Sequence, residues 1–537
     1  MSATRPDAIV VGAGHNGLAA AAYLARAGLH VLVLERRGLV GGACVTEELW
    51  PGHRISRAAY VAGLLRPALV SELGLAGRGL RLLARHPSSF TPLPRDPGLL
   101  LGPDAALCRR EIGRFSPRDA EAYPRYEALL EGCARALEPL LDLPPPDPLR
   151  PRLRDLPTLF RVAVGLRRLG RELPRALGLL LGAARPVLER YFESEPLRAT
   201  LATDALIGAW AGPGSPGTGY VLFHHVMGET NGERGVWAYV EGGMGRLSEA
   251  LAGAARDAGA QIRLEAPVSK VLLRDGRATG VLLEDGSELE ARVVVSNADP
   301  KRTLLGLVGA EHLSPELARE VAALDFRSPS LKLNLALDRL PRFAGRSAVG
   351  VGPEHVGTIH IGSEHLDALE RSFAAAAAGC LPEHPMLELT IPSTLDPSLA
   401  PAGRYVASLF VQHVPFELAG SSWDAERDRF ADRVLAQVDE VAPGFAASVV
   451  AREVLAPPDL ERIFALSGGN LFHGAMGPDR LLFLRPLPGW SRYRTPIGGL
   501  YLCGAGTHPG GGVMGACGRN AAGEVLRDLG LRRRGTG

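Results

Sequence analysis

The chain reads as an α/β protein: a parallel sheet assembled from separated segments, interleaved with an α+β domain and a helical lid. Three observations predict this. Residues 8–11, Ala-Ile-Val-Val, form a continuous apolar run ending at a glycine, the pattern of a parallel strand buried on both faces. An alanine- and leucine-rich stretch over 18–27 follows, with Gly28 as its C-terminal stop, and then a second apolar run over 31–34. The order of strand, glycine-rich turn and alanine-rich helix returns near the C-terminus, from residue 499 onward.

Gly12, Gly14 and Gly17 place G-x-G-x-x-G at the first strand-to-helix turn. Gly12 allows the tight turn, Gly14 lets the backbone approach a pyrophosphate, and Gly17 lets helix and strand pack closely. The helix N-terminus offers unpaired N–H groups and a partial positive charge to the diphosphate. Glu35 closes the second strand at about the twenty-residue distance of a ribose-binding carboxylate. One such motif says little in a chain with 65 glycines, but strand, turn, helix, strand and acid here stand in register. An acid rather than a base at position 35 argues for an unphosphorylated ribose, so a Rossmann-type dinucleotide site is expected. Gly41-Gly42-Ala43 then puts a glycine pair soon after the acid. This extended pattern resembles the flavoprotein branch of the fold, with backbone at Gly42 and Ala43 facing the cofactor, and favours FAD over NAD.

At 537 residues the chain exceeds one core, and two or three domains are expected. The 46% hydrophobic and 22% charged shares are those of a globular protein, and a net charge of +2 gives no field that would draw nucleic acid. The only lysines are Lys270, Lys301 and Lys332. Six scattered cysteines form no C-x-x-C and no zinc spacing, and no second G-x-G-x-x-G is read as a site for a nicotinamide nucleotide, which together argue against a disulfide reductase. His355, His360, His365, His384 and His413 are dispersed without H-E-x-x-H spacing, so no metal is expected. Residues 1–7 are too short and polar for a targeting peptide, and no apolar stretch reaches a membrane span; a cytoplasmic location is expected.

The domain reading divides the chain into nucleotide-binding segments at 1–85, 231–300 and 486–537, a helical substrate or lid region at 86–230, and a sheet-based substrate domain at 301–485. Residues 50–75 would run toward the reactive end of the cofactor, making Arg57 and Tyr60 candidates for contact there. Residues 141–148, with four prolines, mark a rigid break. Beyond them, 150–190 interleaves ten arginines with leucines and valines against only Asp155, Glu172 and Glu189. Leu159, Val162, Leu166 and Leu169 recur at helical steps with Arg161, Arg167, Arg168 and Arg171 between them. That basic amphipathic pattern suits either a solvated lid face or an anionic membrane surface, giving peripheral membrane contact through 150–190. His224 and His225 sit in an apolar setting that suits a substrate pocket but make a poor metal pair. Short strands are expected at 261–264, 268–273, 278–283 and 293–295, with Asp275-Gly276 and Asp285-Gly286 as turns. Half-buried strands are expected at 330–338, 386–391 and 405–412. A helix starting near Val513 would aim free N–H groups at a developing anion, in a flavoprotein the N1–O2 edge of the reduced ring.

Four stretches taken together resemble the phytoene desaturase-like family of FAD oxidoreductases: the N-terminal fingerprint with Gly14-His15-Asn16-Gly17-Leu18, Glu241-Gly242-Gly243-Met244, Ser296-Asn297-Ala298-Asp299-Pro300 and Gly504-Ala505-Gly506-Thr507-His508-Pro509-Gly510. The resemblance implies a glutathione-reductase-like nucleotide fold in its amine oxidase/phytoene desaturase branch. It implies that Gly12, Ala13, Gly14, Asn16 and Gly17 hold the FAD diphosphate, that Glu35 takes the adenosine ribose with Arg36 beside it, and that backbone at Val268 meets adenine. Gly504, Val513, Met514 and Gly515 would lie along the ribityl and ring portions. Relatives desaturate, saturate or isomerise long polyene lipids, so hydride transfer between flavin N5 and an apolar, lipid or polyene substrate is expected. The resembled family has a mitochondrial mammalian member. No residue stands out as the base; Arg57, Tyr60 and His508 are the catalytic candidates. An amine-oxidase-like enzyme, whose flavin-side lysine and aromatic cage the sequence does not locate, and an FAD-stabilised interaction protein are the alternatives.

Overall fold

The computed structural model describes residues 5–94, 96–148, 152–327, 330–346 and 350–532. Its nucleotide half is a five-stranded parallel sheet in the order Gln261–Arg263, Val31–Leu34, Ala8–Val11, Val293–Ser296, Leu500–Leu502. Strands distant in sequence thus meet in one sheet, with Val10 registered on Val33 and Val295. The first strand is buried along its whole length, as its unbroken apolar run requires.

Helix His15–Arg26 buries ten consecutive residues, Asn16 to Ala25, because it packs against both Gly245–Asp257 and Ala516–Asp528. Its alanines let those helices approach; a β-carbon on Gly518 would overlap the carbonyl oxygen of Asn16. Leu18 and Leu24 are fully buried, and truncating either to alanine costs about 2–5 kcal/mol. Gly28, at φ +96°, ends the helix where the sequence places its stop. Asp275 and Gly276, both at positive φ, make the tight turn between Val268–Arg274 and Arg277–Leu283.

The second sheet has seven strands, ordered Val449–Leu455, Ser330–Leu337, Tyr405–Gln412, Leu387–Thr390, Thr358–Ile361, Ser89–Leu93, Asp96–Leu101. Two differences from the sequence reading stand out. Ser89–Leu93 and Asp96–Leu101 lie inside the stretch read as helical yet pair along this sheet's edge; their prolines and glycine disguise a hairpin as coil. Ser330–Leu337, read as half-buried, is buried at all eight positions. It runs between two partner strands. Leu331, Leu333, Leu335 and Leu337 join Phe430 and Val434 of helix Trp423–Val441 in one core, while Lys332 and Asn334 are buried on its other side. Helices from Ala105–Gly113 to Thr218–His225 make up most of what is described between 105 and 225, while 142–148 and 204–217 carry neither helix nor strand.

Candidate active site

The glycine turn is closed by its neighbours. Gly12 holds φ +92°, and Gly14 caps the helix from extended backbone. The Gly41 N–H donates to the Ala13 carbonyl at 2.8 Å, laying the second glycine pair along the turn, and a β-carbon on Gly42 would sit 3.3 Å from the Gly14 α-carbon. Glu35 is buried; its carboxylate accepts from the Ala13 N–H at 2.8 Å and the Arg37 N–H at 3.0 Å. Between these elements lies a cavity of about 350 Å³.

Of the residues assigned to the cofactor, Gly12, Gly14, Asn16, Glu35, Arg36, Gly42, Ala43, Val268 and Val513 line this cavity. Five others are not part of its lining. The Ala13 N–H is spent on the Glu35 carboxylate and its carbonyl on the Gly41 N–H. Gly17 is packed on Gly12, and Gly504 on the Asn297 carbonyl. Met514 is buried in the helical core, its carbonyl accepting from the Arg66 N–H. Gly515 is pressed on Leu69. The C-terminal helix begins at Ala516 rather than near Val513. Gly510, Gly512, Val513 and Gly515 all take positive φ, which no α-helical turn accommodates.

The chemistry of the lining suits a dinucleotide. Among the described residues, the buried Nε of Arg302 and Nδ1 of His224 and His473 have no hydrogen-bond partner, and all three residues face the cavity. Arg302 offers a donor to an anion beside the helix N-terminus, whose first N–H groups have no partner within the helix. His224 pairs through Nε2 with the Gly511 carbonyl, and burial lowers its pKa to about 3, so the neutral ring presents Nδ1 as an acceptor. Arg302 and His473 escape the sequence reading because nothing local marks them.

The catalytic candidates separate. Arg57 is not part of the cavity lining: it pairs with Glu47 at 3.0 Å and Glu453 at 2.5 Å and lies over the ring of Phe464, which does line it. His508 is buried with Nε2 on the Leu140 carbonyl at 2.7 Å, and burial brings its pKa to about 4; it is not part of the cavity lining. Tyr60 faces the cavity, and its hydroxyl donates to Glu388 at 2.8 Å.

A second cavity, of about 740 Å³, lies between the helical layer and the seven-stranded sheet. It shares Tyr60, Val61, Ile207, His225 and Trp237 with the first. Helix Pro117–Leu137 walls it with Tyr123, Tyr126 and Leu130, and the sheet contributes Thr358, His360 and Glu388. His508 stays outside its lining too. Lys332 lines neither cavity but is buried beside Tyr60, with Nζ 3.4 Å from the centroid of the Tyr60 ring. Among the described residues no group of three His, Cys, Asp or Glu side chains is placed to hold a metal.

Comparison with known proteins agrees with this geometry. The model of the family described as flavin containing amine oxidoreductase matches residues 17–526. Pyridine nucleotide-disulfide oxidoreductase domain-containing protein 2 of Mus musculus is 50% identical, over 97% of this chain and 94% of its own. The disulfide of that name has no counterpart here, since all six cysteines are free. A limonene dehydrogenase component from Castellaniella defragrans is 31% identical over 98% and 95% of the two chains. The lycopene-forming phytoene desaturase of Pseudescherichia vulneris is 28% identical over 97% and 99%. Among solved structures, cyclohexylamine oxidase from Brevibacterium oxydans shares the fold, with a TM-score of 0.57, 19% identity and coverage of 98% and 100%.

Proposed function

Since the chain belongs to the flavin-containing amine oxidoreductase family and is an FAD-dependent oxidoreductase, we propose that its substrate is an apolar, lipid-like molecule, a terpenoid or polyene, that is desaturated, saturated or isomerised where the two cavities meet. The observation that carries this reading is the second cavity, which opens on the first at Tyr60, Val61 and Trp237 and is walled by Tyr123, Tyr126 and Leu130. Two relatives bear the names of hydrocarbon-dehydrogenating proteins, acting on limonene and phytoene. FAD, when bound, supplies the hydride acceptor or donor. The chain's part is to hold the diphosphate at Gly12, Gly14, Asn16 and Arg302, to meet the ribose with Glu35, and to hold water out with apolar walls.

The surface outside the second cavity supports the same reading. Helix Leu156–Arg168 packs on Pro117–Leu137. Leu169 turns inward onto this core, so part of the expected stripe is internal. Leu153, Leu156, Leu159, Phe160, Leu177 and Leu181 nevertheless stand exposed, Phe160 by 71% and Leu153 by 86%. Arg161, Arg167, Arg168 and Arg171 are exposed among them. Apolar side chains ringed by arginine suit an anionic membrane surface, from which a lipid substrate reaches the cavity. Arg150, at the edge of the expected segment, lies outside the described residues. Among the described residues no helix is long and apolar enough to cross a membrane.

The buried Lys332 favours one second reading, oxidation of a C–N bond. Anaerobic mixing separates the two. Bleaching of the flavin by limonene or phytoene carried in vesicles, and none by cyclohexylamine, supports the hydrocarbon reading; the reverse pattern overturns it.

A further inference from the structure

Strand register assembles a row of side chains that no local motif announces. Phe410 pairs directly with Lys332 on one side and with Glu388 on the other, and Glu388 pairs with His360. Residues directly opposite across a sheet project from the same face. Here that face meets both cavities, because Phe410 lines the first while Glu388 and His360 line the second. Tyr60 packs against the row. Its ring lies under Lys332 Nζ and 6.1 Å from the Phe410 ring, and its hydroxyl donates to Glu388 Oε2.

We propose that Glu388 is the proton-exchanging group of this active site, with the Tyr60 hydroxyl carrying the proton between its carboxylate and the junction of the two cavities. The proposal rests on the reading of that junction as the place of reaction. In the dehydrogenating direction FAD, when bound, would supply the acceptor for a hydride from one carbon of the substrate. The neighbouring carbon gives its proton to the Tyr60 oxygen as Tyr60 passes its own proton to Glu388, and the electron pair left behind forms the new double bond. Hydrogenation runs the same transfers backwards. Atoms and electrons balance with the flavin as the only oxidant.

The surroundings keep Glu388 able to exchange. It is 3% exposed. Burial pushes its pKa up to about 7 with help from the nearby Asp204, against the Tyr60 hydrogen bond and the positive charges of Arg85 and Lys332. Arg85 is held on Thr358 at 2.7 Å, at the edge of the same cavity. His360 Nδ1 lies 3.7 Å from Glu388 Oε1, and burial lowers its pKa to about 3, so the imidazole adds no charge. Lys332 Nζ has no hydrogen-bond partner among the described residues, and burial lowers its pKa well below the usual lysine value. A carboxyl that titrates near working pH suits general acid–base catalysis in either direction.

The test is an infrared pH titration of the FAD-loaded protein, alongside the potential of its flavin measured across the same pH range. The wild type shows a protonated-carboxyl band that is lost as pH rises through about 7 and is absent from Glu388→Gln. Tyr60→Phe removes a hydrogen bond that favours the carboxylate and moves the midpoint up. Reduction of bound flavin would add negative charge to the site that Tyr60 links to Glu388, so the wild-type potential is expected to fall more steeply with pH around neutrality than that of Glu388→Gln. A carboxyl that does not titrate in this range, a band that survives in Glu388→Gln, or identical potential–pH plots would overturn the proposal. If the protein takes up no FAD, the functional reading fails instead, and the infrared titration alone decides the fate of Glu388.

Discussion

Gly14 and Asn297 meet across the mouth of the nucleotide turn: a β-carbon on Gly14 would lie 2.6 Å from the Asn297 side-chain nitrogen. Gly17 is tighter still, since its β-carbon would overlap the Gly12 carbonyl oxygen, which is backbone and cannot step aside. Gly17→Ala is therefore expected to cost about 3 kcal/mol by overpacking and to lose bound flavin. Gly14→Ala, which meets only a side chain, keeps the fold and weakens the flavin by about tenfold or more, about 1.4 kcal/mol. Flavin absorbance per protein and melting temperature check both. Full flavin content in Gly17→Ala would contradict this account of the turn.

Buried histidines set the acid limit of the fold. Burial lowers His15, His413 and His508 to about 4 and His224 and His360 to about 3. Each folded value lies below the unfolded one of about 6.5, so the unfolded chain binds more protons below that pH. Their contribution is full above pH 6.5 and is lost as pH falls toward 4. Glu388 works the other way, its raised pKa costing stability as pH rises from about 4.5 to about 7. Burial raises Glu127 and Asp204 in the same sense, and lowers His473 along with the other five histidines, so three carboxyls stand against six imidazoles. The melting temperature is expected to fall steeply from pH 6.5 to pH 4.5, and a flat profile there would contradict the burial of neutral imidazoles.

Arg485 ties the glycine-rich C-terminal turn to the loop that carries His473. It is 2% exposed and donates to the carbonyls of Phe472 at 2.7 Å, Ala505 at 2.8 Å and Ala475 at 2.9 Å. Arg485→Met leaves those carbonyls buried and unpaired, a loss of about 3 kcal/mol or more. Arg485→Lys rescues little, because an ammonium cannot fork to the same acceptors. Urea unfolding of the three proteins measures both, and equal stability of the lysine variant and the wild type would sink the argument.

Membrane contact has its own test. Leu156→Glu with Phe160→Glu removes apolar area and adds repulsive charge at positions exposed by 56% and 71%, where folding is not at stake. Co-sedimentation with anionic vesicles is expected to drop while the melting temperature holds. Unchanged sedimentation would remove the membrane from the account.

How much of the molecule is legible in its sequence follows from where each signal resides. The turn at Gly12, Gly14 and Gly17, the carboxylate at Glu35 and the stop at Gly28 are local, each readable from residues within one strand–helix–strand unit. The fold class and the cofactor follow from them. The acid–base half of the site is not local. Lys332, His360, Glu388 and Phe410 belong to four strands and become a row only through pairing register. His508 misleads because its glycine-rich neighbourhood borders the cavity, while its own ring is taken up by the Leu140 carbonyl. Alanine and glycine composition starts the last helix three residues early, because it does not reveal the left-handed φ of Val513 and Gly515.

The measurement that bears most directly on the central claim is an absorbance spectrum of the purified protein, reconstituted with FAD and then mixed without oxygen with vesicles carrying phytoene or limonene. The account predicts flavin bands that stay with the protein through gel filtration and bleach when the hydrocarbon is added. A protein that retains no flavin after reconstitution would contradict it.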